Sequence, residues 1–283
     1  MTLIPAEQLL ALIGTGPAPL IIDASFDLTD AAAGRRSHLA GHLPGAVYLH
    51  LDSDLCGTRT GRNGRHPLPN HADFAATLGR IGLLPGRLVV ALDAQGGMYA
   101  ARVWWMLRWM GHAEVAVLDG GVAAWQASGG ALSSQPTAMQ PVTPYPLRPA
   151  LTAQIDADGV ARRTGRWPLI DARAGERFRG EVEPLDAAAG HIPGATNRFF
   201  KDNLAPDGRF KPLEQLKREF HALYGRHTPA AEVMHSCGSG VTACHNLLAM
   251  EHAGLHGARI YAGSWSGWIS DPARAVVRGD AAP

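Results

Sequence analysis

Short apolar runs alternate with segments of helical periodicity along the whole chain. Residues 20–23, 88–92 and 169–171 form such runs, and the first and last of them end in an acidic residue. Uninterrupted apolar runs of this length are typical of parallel strands that are buried on both faces. Residues 100–110 and 242–253 instead place apolar side chains at helical spacing. Strand, loop and helix therefore alternate in both halves, which predicts an α/β fold with parallel sheets flanked by helices.

The two halves of the chain repeat one pattern. The motif Gly-His-x-Pro-Gly-Ala occurs at residues 41–46 and returns at residues 190–195. Self-similarity over so long a period is best explained by two copies of one domain, and a length of 283 residues suits two domains. We predict that the first domain spans residues 1–132 and the second spans residues 150–283.

A proline-rich stretch at residues 133–149 separates the two predicted domains. It contains five prolines in an otherwise polar sequence. Prolines at this density favour an extended and fairly stiff connection. We therefore interpret this stretch as the interdomain linker.

The chemically most informative stretch is His-Ser-Cys-Gly-Ser-Gly-Val-Thr-Ala at residues 235–243. It places Cys237 at the mouth of a glycine-rich loop that leads into a helix, which we expect to begin at Thr242. Gly238 and Gly240 allow a tight turn with backbone N–H groups pointing inward. The positive end of the helix then favours a thiolate beside it. The loop is therefore predicted to hold an anionic sulfur.

Several cysteine chemistries are excluded by the same loop. A cysteine-dependent phosphatase needs an arginine six positions after the nucleophile, and Ala243 occupies that position. A thioredoxin-like redox site needs a second cysteine where this chain has Gly240, and no papain-like signature surrounds Cys237. Without a fixed cation in the loop, the sequence favours a site for sulfur over one for a tetrahedral oxyanion. A buried structural cysteine remains the alternative.

Residues 237–243 resemble the active-site loop of tandem rhodanese-domain sulfurtransferases, in the form found in 3-mercaptopyruvate sulfurtransferases. The similar thiosulfate enzymes of animals carry two basic residues in mid-loop, where this chain has Gly238 and Ser239. The resemblance covers nearly the whole chain through the repeat. It implies two tandem rhodanese-like domains, a single working loop in the second domain, and sulfur transfer through a persulfide on Cys237.

The resemblance also implies how an anionic sulfur donor binds. The pattern Arg-Phe-x-Gly that begins at Arg177 resembles the family segment that supplies a substrate-binding arginine. Position 186, where the mercaptopyruvate enzymes usually have a second arginine, is Asp186, and thiosulfate enzymes tend to carry an acid there. We expect 3-mercaptopyruvate as donor because the loop touches the reacting sulfur, and thiosulfate:cyanide transfer is the alternative. The expected donor-binding residues are Arg177, Gly238, Ser239, Gly240, Val241 and Thr242.

The first half lacks a nucleophile at the equivalent place. Its loop puts Ala94 roughly where Cys237 would be, so the first domain is predicted to be catalytically degenerate. A serine–histidine–aspartate relay proposed for the family would be matched by Ser239, His42 and, with poor alignment, Asp30. A rhodanese module that binds or relays sulfur without turnover is the alternative from another functional class.

Composition restricts partners and location. Three cysteines without close pairing predict no disulfide framework and a reducing, cytoplasmic location. A net charge of +1 predicts no strong attraction to nucleic acid, and no apolar run is long enough to span a membrane. The scattered histidines match no metal site, and no cofactor is expected. The acceptor could be cyanide, a small thiol or a thioredoxin-like protein, and the oligomeric state stays open.

Overall fold

The computed structural model describes residues 1–15 and 18–280, so residues 16, 17 and 281–283 of the two predicted domains lie outside it. By their internal contacts these residues form two compact units. Unit 1 comprises Met1–Gly57, Pro69–Leu151 and Pro206–Arg209. Unit 2 comprises Thr58–Leu68, Thr152–Ala205 and the described residues from Phe210 onward.

Unit 1 is built on a five-stranded sheet in which every pairing is parallel. The strand order is β1-β5-β4-β2-β3. Four of these strands, β1, β2, β4 and β5, are buried at every position, in accord with sequences that are apolar except for Asp23 at the end of β2. The strands are β1 (Leu3–Ile4), β2 (Leu20–Asp23), β3 (Ala46–Tyr48), β4 (Val89–Leu92) and β5 (Val115–Leu118). The helices are α1 (Ala6–Thr15), α2 (Ala33–Ala40), α3 (Leu51–Asp54), α4 (His71–Arg80), α5 (Ala100–Trp109) and α6 (Gly121–Ala127).

Unit 2 repeats this architecture with a second parallel sheet of five strands in the order β6-β10-β9-β7-β8. Position by position, this order is the same as that of unit 1, so the predicted pair of parallel-sheet domains is confirmed. The strands are β6 (Ala153–Gln154), β7 (Leu169–Asp171), β8 (Ala195–Asn197), β9 (Met234–Ser236) and β10 (Arg259–Ile260). The helices are α7 (Ala157–Arg163), α8 (Gly175–Arg179), α9 (Leu213–Tyr224), α10 (Thr242–His252) and α11 (Ser264–Trp268), with 3₁₀ turns at Phe200–Asn203 and Ala230–Glu232.

The proline-rich segment 133–149 forms no helix or extended strand and packs along unit 1. The N–H of Val142 donates to the carbonyl of Gly79 at 2.9 Å, and the N–H of Tyr145 donates to that of Ala75 at 3.0 Å. The Tyr145 side chain is buried, and its hydroxyl is hydrogen-bonded to Nδ1 of His112 at 2.9 Å. The segment is therefore anchored to the surface of one unit along its length.

Residues 58–68 belong to unit 2, although they lie inside the predicted first domain. They carry no helix or strand. Backbone and side-chain hydrogen bonds fix them there: the N–H of Arg65 donates to Oγ of Ser266 at 2.9 Å, and the hydroxyl of Ser270 lies 3.2 Å from the carbonyl of Arg62. This segment supplies two residues of the site described below.

Aromatic side chains fill the interiors of both units. Trp104 and Trp105 on α5 are each 1% exposed within unit 1, so they form part of its interior, as their positions on an amphipathic helix predict. In unit 2, Trp265 and Trp268 on α11 pack with residues of β7 and β9. Within the described ranges, no helix is both long and apolar enough to cross a bilayer.

Candidate active site

Cys237 directly follows β9 and begins a tight loop that ends where α10 begins. The start of the helix at Thr242 is confirmed. The thiol is almost fully buried, and the N–H of Gly240 donates to its Sγ at 3.1 Å. Gly240 has φ of 80°, and a Cβ there would lie 2.3 Å from the carbonyl oxygen of Ala262. Only glycine fits this position, so the close turn that aims an N–H at the sulfur is fixed by the sequence.

The start of α11 holds the backbone of this loop from one side. Oγ of Ser264 accepts the N–H of Cys237 at 3.0 Å. The N–H of Trp265 donates to the carbonyl of Cys237, and the N–H of Ser266 donates to that of Gly238, both at 2.9 Å. Three consecutive residues thus fix both ends of the Cys237–Gly238 peptide.

The hydroxyl of Ser239 contacts a histidine that the sequence analysis did not select. Nδ1 of His66 lies 2.7 Å from Oγ of Ser239, and both side chains are buried. The histidine matched to the family relay, His42, instead has its Nδ1 bonded to the carbonyl of His38 in unit 1. Asp30 is paired at the surface with Arg36. The serine of the loop therefore pairs with His66, and the match to His42 and Asp30 was wrong.

Two guanidinium groups lie against the loop at Gly238. A Cβ on Gly238 would be 3.2 Å from Nη2 of Arg65 and 3.6 Å from both Nη atoms of Arg177. Residues 237–243 themselves contain no cation, and Arg177 is the arginine that the sequence analysis selected to bind the donor, whereas Arg65 was not predicted. The cations come from outside the loop, one from residues 58–68 and one from α8, so the loop residues alone could not reveal them.

Asp186 bridges these two arginines. Its carboxylate forms an ion pair with Nη1 of Arg65 and lies 3.2 Å from Nη2 of Arg177, which also pairs with Glu183 at 2.6 Å. Burial raises the pKa of Asp186, an effect that Glu183 reinforces and that Arg65 and Arg177 oppose. The carboxylate of Asp186 thus pairs with guanidinium nitrogens that an incoming anion would need.

The other two arginines near α8 have different surroundings. Arg173 is 3% exposed, bonds the carboxylate of Asp171 through Nε and Nη2, and stacks over Trp265 at 4.9 Å. Arg179 is far more exposed and pairs with Glu181. Of the three arginines, Arg177 is the one whose guanidinium lies beside Gly238, whereas Arg173 is held by Asp171 and interacts with Cys237 through its charge. The position of Arg177 supports its selection from the sequence.

The remaining selected residues and the other two cysteines lie as follows. Val241 is buried immediately before α10, and Thr242 is the first residue of that helix. Cys244 is buried in α10, and its thiol lies 3.4 Å from the carbonyl of Gly240. Cys56 is half-buried in unit 1, and all three thiols are free of disulfides. No cluster of histidine, cysteine and carboxylate side chains suited to a metal ion occurs in the part of the chain that the structure describes.

Strand register identifies the counterpart of Cys237 in unit 1. Asp23 on β2 lies opposite Leu92, the last residue of β4. The equivalent pairing in unit 2 sets Asp171 opposite the last residue of β9, which Cys237 follows. The residue that corresponds to Cys237 is therefore Asp93, and the prediction of Ala94 was wrong by one position.

In the loop of unit 1 that follows β4, backbone N–H groups point inward and bind the carboxylate of Asp93. Asp93 is fully buried and accepts four backbone N–H groups at 2.8–2.9 Å. Burial raises the pKa of Asp93, and these hydrogen bonds oppose that rise. The four donors are Gln95, Gly97, Tyr99 and Ala100. A carboxylate in this position offers no sulfur nucleophile.

Arg65 and His66 were not selected from the sequence, although the composition of residues 58–68 indicated a loop. Residues 58–68 are rich in glycine and arginine and contain one large apolar residue, Leu68, so they cannot form a core strand or an amphipathic helix. Such a polar stretch is typical of a loop that serves a site. Which of its residues reach the loop that follows Cys237 depends on contacts more than 170 positions apart in the chain.

Comparisons with known proteins agree with this architecture. The rhodanese-like domain family model matches residues 5–128 and 151–271. A "Probable 3-mercaptopyruvate sulfurtransferase" of Pseudomonas aeruginosa is 46% identical over 98% of this chain and 98% of its own length. The thiosulfate sulfurtransferase of Bos taurus is 33% identical over 90% of this chain and 86% of its own.

A solved structure shares the fold of this chain. The 3-mercaptopyruvate sulfurtransferase from Leishmania major superposes with a TM-score of 0.82 at 27% identity, covering 94% of this chain and 73% of that one. Family match, full-length relatives and fold all point to the same group and confirm the resemblance seen in the sequence. The chain belongs to the rhodanese-like domain family, as a member with two such domains in tandem.

Proposed function

We propose that this protein is a sulfurtransferase that moves the sulfur of 3-mercaptopyruvate, as the sulfane sulfur of a persulfide on Cys237, to a thiophilic acceptor. The observation that carries the proposal is the pair of guanidiniums of Arg65 and Arg177 beside Gly238, next to a thiol that accepts the Gly240 N–H. Cations placed this close to a buried nucleophile suit a small anionic sulfur donor. The names of the full-length relatives support the same activity.

In the first step, the Cys237 thiolate attacks the sulfur of 3-mercaptopyruvate. A sulfur–sulfur bond forms as the carbon–sulfur bond breaks, and the bonding electron pair leaves with carbon as the enolate of pyruvate. Protonation of that enolate gives pyruvate and leaves Cys237 as a persulfide. The donor carboxylate pairs with Arg177 and Arg65, which fixes the sulfur near Sγ.

In the second step, an acceptor nucleophile attacks the outer sulfur of the persulfide. The sulfur–sulfur bond breaks, its electron pair returns to Sγ, and the Cys237 thiolate is restored. This is covalent catalysis with ping-pong kinetics. Cyanide, a small thiol and a thioredoxin-like protein all have the nucleophile that this step requires.

Ser239 is suited to assist the departing group in the first step. Its hydroxyl is held by His66 at 2.7 Å and belongs to the loop that carries the nucleophile. A hydrogen bond from this hydroxyl to the enolate oxygen stabilises negative charge that develops only as the carbon–sulfur bond breaks. His66 fixes the orientation of the hydroxyl and can take up or supply its proton.

Thiosulfate is the alternative donor, and Asp186 bears on the choice. Thiosulfate is a dianion that leaves as sulfite, so it demands more positive charge than 3-mercaptopyruvate. The two arginines supply that charge, but Asp186 and Glu183 neutralise much of it. We therefore expect kcat/KM for 3-mercaptopyruvate to exceed that for thiosulfate on one preparation with cyanide as acceptor. A preference for thiosulfate would assign the alternative activity.

The substitution Asp186→Asn should move the ratio of kcat/KM values toward thiosulfate by about ten-fold. Removing one negative charge beside the arginines lowers the repulsion felt by a dianion about twice as much as that felt by a monoanion. Steady-state kinetics with both donors measure the ratio, which cancels any general loss of activity. Glu181→Gln, at an exposed ion pair with Arg179, is the matched control and should leave the ratio unchanged. An unmoved ratio in Asp186→Asn would show that Asp186 does not influence donor choice.

The first domain is proposed to be non-catalytic toward sulfur, because Asp93 takes the place of the nucleophile. A protein that binds or relays sulfur without turnover is the competing class of function, and the complete cysteine loop of unit 2 favours the enzyme. Transfer of sulfur to cyanide from either donor separates the two classes. Three cysteines that form no disulfide further support our proposal of a reducing, cytoplasmic location.

A further inference from the structure

Residues 58–68 lie against the start of α11, and Gly64 makes the closest contact between them. Gly64 has φ of 85°, and a Cβ there would lie 2.7 Å from the carbonyl oxygen of Gly263 and 3.3 Å from Oγ of Ser266. On the other side of this contact, a Cβ on Gly267 would lie 3.5 Å from the backbone nitrogen of Gly64. Glycine at position 64 is therefore required for the two backbones to approach this closely.

Ser266 on α11 connects the same residues to the cysteine loop. Its Oγ accepts the N–H of Arg65 at 2.9 Å, and its own N–H donates to the carbonyl of Gly238 at 2.9 Å. The guanidinium of Arg65 in turn faces Gly238, since its Nη2 lies 3.2 Å from the position that a Cβ there would take. One residue of α11 thus sets the spacing between the backbone of Arg65 and the loop that its side chain faces.

Burial along residues 58–68 increases toward the site. Residues 58–62 are exposed, residues 63–65 are half-buried, and His66 is buried. The exposed end forms a local turn, in which Oδ1 of Asn63 accepts the N–H of Thr60 at 2.9 Å. Because a solvated polar turn adds little apolar packing, the contacts of Gly64 and Arg65 with α11 contribute a larger share of what fixes this segment.

The ion pair of Arg65 with Asp186 does not replace these contacts. Asp186 also pairs with Arg177, so its carboxylate binds two guanidinium groups at the ends of long side chains. A contact at the end of such a side chain leaves the backbone that carries it several conformations. Fixing the backbone of Arg65 at Ser266 restricts where its guanidinium can lie.

We propose that Gly64 and Ser266 are positioning residues for sulfur transfer. They dock residues 58–68 on α11 and thereby hold the guanidinium of Arg65 beside the cysteine loop, where it meets the anionic group of the donor. Neither residue contacts the donor itself, and no covalent bond changes. The inference deepens the proposed function and rests on it for the role of Arg65 in donor binding.

The first test compares Gly64→Ala with Gly61→Ala through alkylation of Cys237 by iodoacetate and by iodoacetamide. Iodoacetate carries a carboxylate, as the donor does, and iodoacetamide is its neutral counterpart, so the ratio of the two rate constants cancels changes in thiol pKa and access. In Gly64→Ala the ratio should fall about five-fold, because the guanidinium of Arg65 moves away from the loop. Mass spectrometry of the Cys237 peptide measures both rates.

Gly61→Ala is the matched control within the same segment. Gly61 has φ of 79°, so alanine there meets the same backbone strain as at position 64, but its Cβ would have no atom within 4 Å. This variant should keep the wild-type ratio. A difference between the two variants therefore reports on the contact with α11 and not on strain in the segment.

The second test removes the hydrogen bond to the backbone of Arg65. Ser266→Ala should lower the alkylation ratio and kcat/KM for 3-mercaptopyruvate by about three- to ten-fold, as the loss of one hydrogen bond implies. Ser266→Thr keeps a hydroxyl and should restore most of both. In an Arg65→Ala background, neither Ser266→Ala nor Gly64→Ala should lower the ratio further, since both act through Arg65.

The outcomes separate this inference from the proposed function. Equal ratios in Gly64→Ala and Gly61→Ala, with both folded by circular dichroism, would overturn the inference, as would a wild-type ratio in Arg65→Ala. If Gly64→Ala does not fold, Ser266→Ala and Ser266→Thr supply the same comparison. Alkylation needs no turnover, so a lowered ratio in a protein that transfers no sulfur from either donor would sustain the positioning role and refute the proposed function.

Discussion

Cys237→Ser should abolish sulfur transfer from 3-mercaptopyruvate and thiosulfate alike, by at least about a thousand-fold. A serine hydroxyl is a poor nucleophile toward sulfur and cannot store the transferred atom as a persulfide. The substitution keeps the size of a side chain that is 1% exposed, so the loop and the fold should survive. Thiocyanate formation measures turnover, and mass spectrometry after donor treatment without acceptor should find one added sulfur, on the Cys237 peptide alone.

The other two cysteines provide the controls. Cys244→Ser replaces the thiol that lies 3.4 Å from the Gly240 carbonyl by a hydroxyl that can donate to the same atom. Cys56→Ser alters a half-buried residue of unit 1, whose loop has Asp93 in the position of Cys237. Both variants should keep most of the wild-type kcat/KM. Added sulfur on the Cys56 or Cys244 peptide in the wild type would contradict the assignment of the nucleophile.

The fold was predictable because its signals are local and occur twice. The runs at residues 20–23 and 169–171 are apolar on both faces, which a strand buried in a parallel sheet requires. The glycines after Cys237 likewise predicted a tight turn, and Gly240 has the positive φ that such a turn requires. Within unit 1, the register of β4 against β2 shows that Asp93 begins the loop, whereas the sequence match of Gly97 to Gly240 points to Ala94.

The surroundings of the nucleophile were harder to predict, since they depend on distant parts of the chain. His66 contacts Ser239 and Arg65 lies beside Gly238, each more than 170 residues away in the chain, because residues 58–68 belong to unit 2. The family motif selected His42, which precedes a Pro-Gly pair and whose Nδ1 bonds to the carbonyl of His38. The contact of Ser264 with the Cys237 N–H was not predictable either, because it depends on a positive φ and a buried hydroxyl, neither of which sequence periodicity reports.

Arg177→Ala should lower kcat/KM for 3-mercaptopyruvate by about ten- to a hundred-fold, the effect of losing a charge-assisted hydrogen bond to the donor carboxylate. Arg177 is about four-fifths buried, and its guanidinium lies against Gly238, so it meets the donor in partly desolvated surroundings. The loss should appear in KM more than in kcat if the arginine binds the donor equally in the ground and transition states. Steady-state kinetics together with circular dichroism of the variant measure both effects.

Arg179→Ala is the matched control, two residues further along the chain. Arg179 also forms an ion pair with a glutamate, but it is more exposed and lies in no contact with the loop, so its loss should leave the kinetics unchanged. Arg65→Ala adds a decisive comparison, because two arginines that hold one donor carboxylate act as a unit. The double variant should then lose less than the product of the two single losses. Wild-type kinetics in Arg177→Ala would mean that this arginine only neutralises Glu183 and Asp186, and that Arg65 alone receives the donor.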